Sequence, residues 1–299
     1  MSSSRLKRTL VPLQAAALLV AAALVLTASA ASANDDELPL FSGLIGIDFG
    51  LERQDTGVPG THSDTAFAYG GDGRVSVPIH ESRWTLQGDL STFQTEQGQS
   101  NATTGASTVG LHLSYRTPQF LVGGFGAFAK TEQNGNSNGG EGSIVGLEGQ
   151  AYVGDLLTLY GQVGWADHSS DVSGFRDGWF ANLEKRWFFG PDCGLTTGFG
   201  YAATGNARFG GNDLEVWSWE ARAFTRISKR LPIYATLGYE GAQYDLDNPN
   251  ADEGESHRVA AGFQFLFGAD GTALENDRRG ATLSTPIETT LAAGWPVRF

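Results

Sequence analysis

The chain has 299 residues, with 33 acidic against 20 basic side chains and a formal net charge of −13 at pH 7. Phosphate backbones repel such an acidic protein, so the charge argues against nucleic acid as a partner. Cys193 is the only cysteine, which excludes an intramolecular disulfide and a cysteine metal cluster. The sequence carries no cofactor motif, and we predict that no cofactor is bound.

The first 33 residues have the order of a cleaved targeting segment. Three basic residues come first: Arg5, Lys7 and Arg8. An apolar stretch over 15–26 follows, and Ala31-Ser32-Ala33 then provides a small-residue cleavage site, with Ala28-Ser29-Ala30 as a second candidate. This order is typical of a secretory signal peptide. We predict a mature chain that begins near Asn34 and has a net charge of −16, because the three basic residues are lost.

Residues 42–268 consist of short segments in which apolar and polar residues alternate. Between Phe67 and Val77, odd positions carry Phe, Tyr, Gly, Gly, Val and Val, whereas even positions carry Ala, Gly, Asp, Arg and Ser. Successive side chains of a strand point to opposite faces, so one face is apolar and the other is charged or small. We predict twelve strands, over 43–53, 65–79, 83–95, 105–117, 119–131, 143–153, 156–168, 176–188, 193–206, 214–227, 232–246 and 257–268.

The predicted connections alternate between two classes. The short class comprises 78–81, 117–119, 154–155, 190–192 and 228–230, and the longer polar class comprises 54–64, 96–104, 132–142, 169–175, 207–213 and 247–256. Short periplasmic turns and longer outer loops are typical of membrane barrels, and an even strand count puts both barrel termini in the periplasm. We predict an all-β fold over 34–268, a closed antiparallel transmembrane β-barrel, because lipid cannot hydrogen-bond an open sheet edge.

The face that we assign to lipid is apolar on several strands. It includes Ile45, Ile47, Phe49, Leu51, Val109, Leu111, Leu113, Leu157, Leu159, Val163, Ile233, Ala235, Leu237, Tyr239, Val259, Phe263, Phe265 and Phe267. Aromatic residues gather near strand ends, with Trp84, Tyr115 and Trp187 on the periplasmic side and Phe67, Trp165, Trp179 and Trp217 on the outer side. Two such belts are typical of membrane barrels. The alternative is an aromatic-rich soluble β-sandwich, which does not need two classes of connection.

The opposite face carries ionisable residues that strand parity directs into the lumen. They are Asp48, Asp72, Arg74, Asp89, His112, Arg116, Glu148, Glu184, Arg186, Glu220, Arg222, Glu240 and Arg258. These charges either line a water-filled pore or pair with one another in a plugged interior. Twelve strands lie between the eight that side chains fill and the sixteen that leave a channel. Inward glycines, such as Gly46, Gly70, Gly200 and Gly238, leave space and favour a narrow pore.

The last 31 residues, 269–299, carry no sustained strand pattern. We predict that they form an irregular periplasmic tail. The terminal Trp295-Pro296-Val297-Arg298-Phe299 alternates apolar residues, but Pro296 lacks the N–H that a strand ladder requires. We therefore predict that the segment from Gly262 to Phe267 closes the barrel.

On these features the chain resembles the porin-like outer-membrane β-barrel families of Gram-negative bacteria. The resemblance covers the signal peptide and residues 42–268. Gly262-x-x-Phe265-x-Phe267 resembles the carboxy-terminal signal that the barrel-assembly machinery reads, although it lies about thirty residues before the end, so Phe267 and Phe299 are both candidates. The resemblance implies outer-membrane lipid, lipopolysaccharide, the assembly machinery and small hydrophilic solutes as partners. It does not distinguish a monomer from a trimer.

Passive diffusion of small hydrophilic solutes or ions is the function that we predict, and a closed structural or surface-interaction barrel is the alternative. A lipid-modifying enzyme is a third interpretation, since His112-Leu113-Ser114 resembles the His-x-Ser pair of outer-membrane phospholipase. However, both side chains are assigned to the inward face, and no matching Asn follows on the next strand. We predict no enzymatic activity.

Two weak metal signals are also present. The acidic loop 245–255 begins like a calcium loop, but Pro249 stands at a ligand position and the required Gly is absent. His62, His168 and His257 are predicted near the outer rim without the spacing of a metal site. We predict no metal site.

Overall fold

The computed structural model describes residues 39–55, 64–80, 82–97, 103–133, 140–169, 175–207, 212–247, 253–268 and 271–286. This part of the chain contains twelve strands: β1 (Ser42–Asp55), β2 (Asp64–Pro78), β3 (Trp84–Gln97), β4 (Thr103–Arg116), β5 (Phe120–Gln133), β6 (Glu141–Val153), β7 (Leu157–Ser169), β8 (Gly178–Gly190), β9 (Cys193–Ala207), β10 (Asn212–Arg226), β11 (Ile233–Leu246) and β12 (Gly254–Phe267). The predicted signal peptide, His62 and residues 295–299 lie outside the described residues.

The sheet closes on itself. Each strand pairs antiparallel with its neighbours in sequence, and β12 pairs with β1 from Gly43 opposite Phe267 to Asp55 opposite Glu255. The predicted closed twelve-stranded barrel is therefore confirmed, and the segment Gly262–Phe267 belongs to the closing strand. Closure gives each strand two hydrogen-bonded neighbours and removes the open edges that lipid would leave unsatisfied.

Alternation along the strands sorts side chains between the outside and the lumen. On β1, Ile47, Phe49 and Leu51 are outward and exposed, and on β11 the exposed fraction of Leu237 is 60%. Apolar side chains on the outer face are what a membrane requires of a barrel. Phe267 differs from the prediction, because it is only 7% exposed. Its ring packs 5.8 Å from that of Phe41, which precedes β1 and covers it.

Aromatic side chains lie near both ends of the wall. We call the end that carries the connections 79–83, 117–119, 154–156, 191–192 and 227–232 the short-turn end, and the opposite end the long-loop end. At the long-loop end, the Tyr201 ring lies 5.0 Å from Trp179 and 4.3 Å from Trp217. At the short-turn end, Trp84 packs edge-on against Tyr115 at 5.5 Å. These positions agree with the two predicted belts.

The described part of the predicted tail, residues 271–286, differs from its prediction, and the rest of the tail lies outside the described residues. Residues 273–279 form a helix, α1 (Ala273–Arg279), instead of irregular structure, and residues 280–286 continue into the lumen. The Thr272 side chain accepts a hydrogen bond from Glu275 N–H, and Leu274 N–H donates to Pro191 O at the short-turn end. Thr-x-x-Glu is the signature of a capping box, so the start of this helix was readable from the sequence. No helix among the described residues is both long and apolar enough to cross a membrane.

Candidate functional site

Residues 271–286, which we call the plug, occupy part of the lumen. Side chains of the wall hydrogen-bond the main chain of this segment rather than its side chains alone. Gln87 Nε2 donates to Leu283 O at 2.7 Å, Gln162 Nε2 donates to Ser284 O at 2.7 Å, and Asp89 Oδ2 accepts from Thr285 N–H at 3.0 Å. These contacts hold the extended end of the plug against β3 and β7.

Two arginines of the wall extend this set. Arg116 Nη2 donates to Gly280 O at 2.9 Å, and Arg186 Nη2 donates to Thr282 O at 3.1 Å. Arg186 also pairs with Asp277 of α1 at 2.9 Å, so the helix and the extended segment are fixed by the same side chain. These contacts stabilise the folded state, because burying a carbonyl or carboxylate without a hydrogen-bond partner costs free energy.

An apolar contact anchors the middle of the plug. Leu283 is 1% exposed and packs in a buried cluster with Leu121 and Tyr160, with Tyr152 at its margin. The plug therefore combines main-chain hydrogen bonds with the buried side chain of Leu283.

Beside the extended part of the plug, His112 lies between two carboxylates. Its Nε2 is 2.8 Å from Asp89 Oδ1 and its Nδ1 is 2.8 Å from Glu148 Oε1, and its side chain is fully buried. Carboxylates only accept, so both contacts are satisfied when the imidazole donates from both nitrogens. Glu148 also accepts from the Tyr160 hydroxyl at 2.8 Å, and the Phe125 ring stacks on the imidazole at 5.2 Å.

This geometry does not support a catalytic role for His112. Both ring nitrogens face carboxylates, and the Ser114 hydroxyl is bonded to that of Thr85 at 2.7 Å. A serine nucleophile needs a base within hydrogen-bond reach, and here His112 is engaged elsewhere. Among the described residues, no group of three His, Cys, Asp or Glu side chains is placed to hold a metal ion.

On the other side of the lumen, ion pairs link neighbouring strands into a charged belt. Glu240 of β11 lies 2.7 Å from Arg222 of β10 and 2.9 Å from Arg258 of β12. Arg258 also contacts Asp48 of β1, and Asp72 pairs with Arg74 on β2 at 3.3 Å. Arg258 is buried, whereas the other side chains of the belt are partly exposed to the solvent-accessible space of the lumen.

A cavity of about 410 Å³ lies between this belt and the plug. Its lining runs from Leu266 and Phe224 near the short-turn end to Glu52 and Ser256 near the long-loop end. The plug contributes residues such as Asp277, Ser284 and Thr285 to the same lining: the cavity passes beside the plug. Apolar contacts among Leu44, Tyr234 and Leu266, with Ala273 of α1 packed against them, narrow the short-turn end.

Ten of the predicted lumen residues line this cavity: Asp48, Asp72, Arg74, Asp89, Glu184, Arg186, Glu220, Arg222, Glu240 and Arg258. His112, Arg116 and Glu148 also point inward but are buried against the plug and against one another, so they do not line the cavity. Parity assigned the face correctly. It could not indicate that a distant segment covers part of that face.

The inward glycines do not leave empty space. A Cβ at Gly46 would lie 2.2 Å from Asp72 Oδ1, one at Gly70 would lie 3.0 Å from Asp48 Oδ2, and one at Gly198 would lie 2.7 Å from Glu220 Cγ. The missing side chains let acidic groups of adjacent strands lie flat along the wall. The width of the cavity therefore depends on charged side chains that lie against the wall over these glycines.

An apolar cluster inside the barrel was not predicted. Phe125, Ile144, Phe175, Phe180 and Leu214 are buried together, with Ala127, Ala129, Ala166, Ala202, Val216 and Tyr244 completing the cluster. The sequence did carry a signal, because β5 is apolar at both odd and even positions from Phe120 to Ala129. The apolar outer face of a barrel strand suits lipid, so apolar side chains on the inner face as well indicate a filled lumen at that point.

Neither a protein-family model nor a curated protein sequence matches the chain. Among solved structures, the COG4313 outer membrane channel from Pseudomonas putida F1 is similar, with a TM-score of 0.55 and 12% identity over 80% of this chain and 100% of that chain. The translocator domain of autotransporter NalP from Neisseria meningitidis gives 0.49 and 12% over 86% and 96%. KdgM porin gives 0.39 and 14% over 74% and 99%. The first similarity supports the barrel fold; at these identities none assigns a function.

Proposed function

We propose that the chain is a porin-like outer-membrane channel through which small hydrophilic solutes or ions diffuse passively along the cavity beside the plug. The observation that carries this proposal is the course of the cavity, whose lining extends from near one end of the wall to near the other. The fold shared with an outer membrane channel is consistent with it. Charged groups on a pore wall set ion selectivity.

The charge of the lining favours cations. Eight carboxylates line the cavity, Asp48, Glu52, Asp72, Asp89, Glu184, Glu220, Glu240 and Asp277, against four arginines, Arg74, Arg186, Arg222 and Arg258. Acidic groups in a confined, poorly screened space raise the local concentration of cations and lower that of anions. We expect a modest preference for cations over anions.

A closed structural or surface-interaction barrel is the second candidate. One specific observation favours it: α1 and the cluster of Leu44, Tyr234 and Leu266 narrow the short-turn end. The Tyr234 hydroxyl donates to Gly271 O at 2.9 Å and fixes the start of the plug there. The two candidates differ in one measurable property, which is conductance.

For the membrane itself, we propose that the short-turn end and both barrel termini face the periplasm. Lipid then surrounds the apolar wall, and lipopolysaccharide meets the long-loop end. The barrel-assembly machinery would read β12, where Gly262 points inward beside Asp48, Phe265 is half-buried on the outer face and Phe267 lies under Phe41.

The test is single-channel recording of the purified full chain in planar bilayers. We expect discrete conductance steps, and liposomes that carry the protein should leak small sugars. Ser218→Trp narrows the cavity and should lower the step size, whereas Ala221→Trp, on the outward face of the same strand, should leave it unchanged. Absence of steps together with tight liposomes would contradict the channel and favour the closed barrel.

A further inference from the structure

The wall that holds the extended part of the plug is built like a peptide-binding groove. Five side chains of the wall hydrogen-bond main-chain groups at five positions within residues 280–285. They belong to Gln87, Asp89, Arg116, Gln162 and Arg186. The side chains of this segment contact the wall through small hydroxyl groups and through Leu283. Thr282 Oγ1 accepts a hydrogen bond from Gln150 Nε2 at 3.0 Å, and Leu283 fills the buried pocket. Main-chain bonds give affinity and pockets give selectivity in peptide recognition.

The barrel does not need the plug for the pairing of its strands. All twelve strands are paired on both sides, and the ladder closes through β1 and β12 without a residue from 271–286. Gly268 lies before the plug and Gly271 is its first residue, and they have φ of 86° and 78°, values that glycine adopts without strain. The plug is thus joined to the barrel at one end by residues suited to a sharp change of direction, and its contacts are those of a ligand.

We propose that the inner wall of β3 to β8 is an exchangeable binding site for an extended, uncharged peptide with a hydroxyl–aliphatic–hydroxyl pattern, and that the segment Thr282-Leu283-Ser284-Thr285 is its tethered occupant. Because the barrel has no free strand edge, the groove binds the peptide through side chains rather than by strand addition. A tethered ligand has an effective concentration in the mM range, so the groove is filled in the intact chain. A peptide of the same sequence binds when the tethered segment is displaced.

The test uses the full chain carrying Leu283→Asp. A carboxylate in the Leu121–Tyr160 pocket has no partner, so the plug should leave the groove while the strands stay paired. The probe is a fluorescent synthetic peptide of residues 280–286, the uncharged and extended part of the plug, followed by anisotropy in detergent. We expect saturable binding to Leu283→Asp, at least about tenfold weaker binding to the wild-type chain, and similarly weak binding of a peptide that itself carries the Leu283→Asp change.

Ser284→Asp is the charge-matched control. Ser284 is half-buried at the edge of the cavity, so the same charge there removes no buried apolar contact, and peptide binding should stay at the wild-type level. Adding Gln87→Ala to Leu283→Asp should weaken peptide binding, because two main-chain bonds are lost. If Leu283→Asp does not fold, the full-length Leu283→Ala variant takes its place, because it removes the aliphatic anchor and leaves every groove residue intact.

A folded Leu283→Asp barrel that shows no saturable peptide binding would overturn the proposal. The same holds if wild-type and Leu283→Asp peptides bind it equally. Binding is read without conductance, so a barrel that binds the peptide but never conducts supports the groove while contradicting the channel. In a conducting barrel, Leu283→Asp should raise the step size and the added peptide should lower it again.

Discussion

The side-chain amide of Gln87 pairs with the main chain of Leu283 through two hydrogen bonds. Nε2 donates to Leu283 O at 2.7 Å, and Oε1 accepts from Leu283 N–H at 3.2 Å. One buried wall residue thereby hydrogen-bonds both main-chain groups of a residue that lies 196 positions later in the chain. The plug belongs to the interior of the barrel for this reason, and the path that a solute would take lies beside it.

Replacement of Arg222 by Glu tests the selectivity of the cavity. Arg222 is the partner of Glu240 at 2.7 Å, and its loss leaves that carboxylate and Glu220 beside a new one. The cation preference should therefore increase, and reversal potentials across a KCl gradient will report it. Arg230→Glu makes the same charge change at an exposed turn position outside the cavity and should shift the potential far less. Equal shifts would contradict a selective role for the belt.

Replacement of Leu237 by Arg tests the inside–outside register. Leu237 lies on the outer wall and is 60% exposed, so a guanidinium there meets lipid and should cost about 2–4 kcal/mol near the midplane. Ser218→Arg places the same group in the aqueous cavity and should cost less. Urea titrations of folding measure both free energies. Equal penalties would show that the register is wrong, since a slip of one residue exchanges the faces.

Replacement of Gly198 by Ala tests whether glycine sets the width of the cavity. The new Cβ would lie 2.7 Å from Glu220 Cγ, so the Glu220 side chain must move away from the wall and into the cavity. Single-channel conductance should fall, and unfolding should become easier by about 1–3 kcal/mol at most. At Gly238, the nearest side-chain atoms to a new Cβ are 3.5 Å away, an ordinary contact, so Gly238→Ala should change neither quantity. A lower conductance in both variants would rule out this explanation.

Replacement of His112 by Leu tests the buried charge cluster that His112 forms with Asp89 and Glu148 beside the plug. It removes the cation between Asp89 and Glu148 and leaves two buried carboxylates facing each other. Breaking a buried ion pair costs about 3–5 kcal/mol, which urea titration should detect. His257→Leu is the matched control, because His257 is partly exposed at the long-loop end, does not lie between two buried carboxylates, and should affect stability less. Comparable losses in the two variants would mean that the cluster does not stabilise the barrel.

Much of the architecture could be predicted from local pattern. Alternation at a period of two fixes the face of each side chain, so Ile47 and Leu237 were assigned to the outside and Asp48 and Glu240 to the lumen without a structure. The two classes of connection fixed the strand order, and most predicted strand bounds lie within about two residues of the observed ones. Local strand geometry determines these features, so the pattern of the sequence predicts them.

The remaining features depend on contacts between residues far apart in sequence. Nothing near Gln87 or Asp89 indicates that Leu283 and Thr285 will reach them, because the partners in each pair are 196 residues apart in the sequence. Glycine at 46 or 198 likewise indicates space, but which neighbour fills it depends on strand register. The sequence by itself determined the barrel and its two faces, since strand geometry repeats every two residues. Only the tertiary structure decided what occupies the lumen, since closure brings distant polar groups to within hydrogen-bond distance.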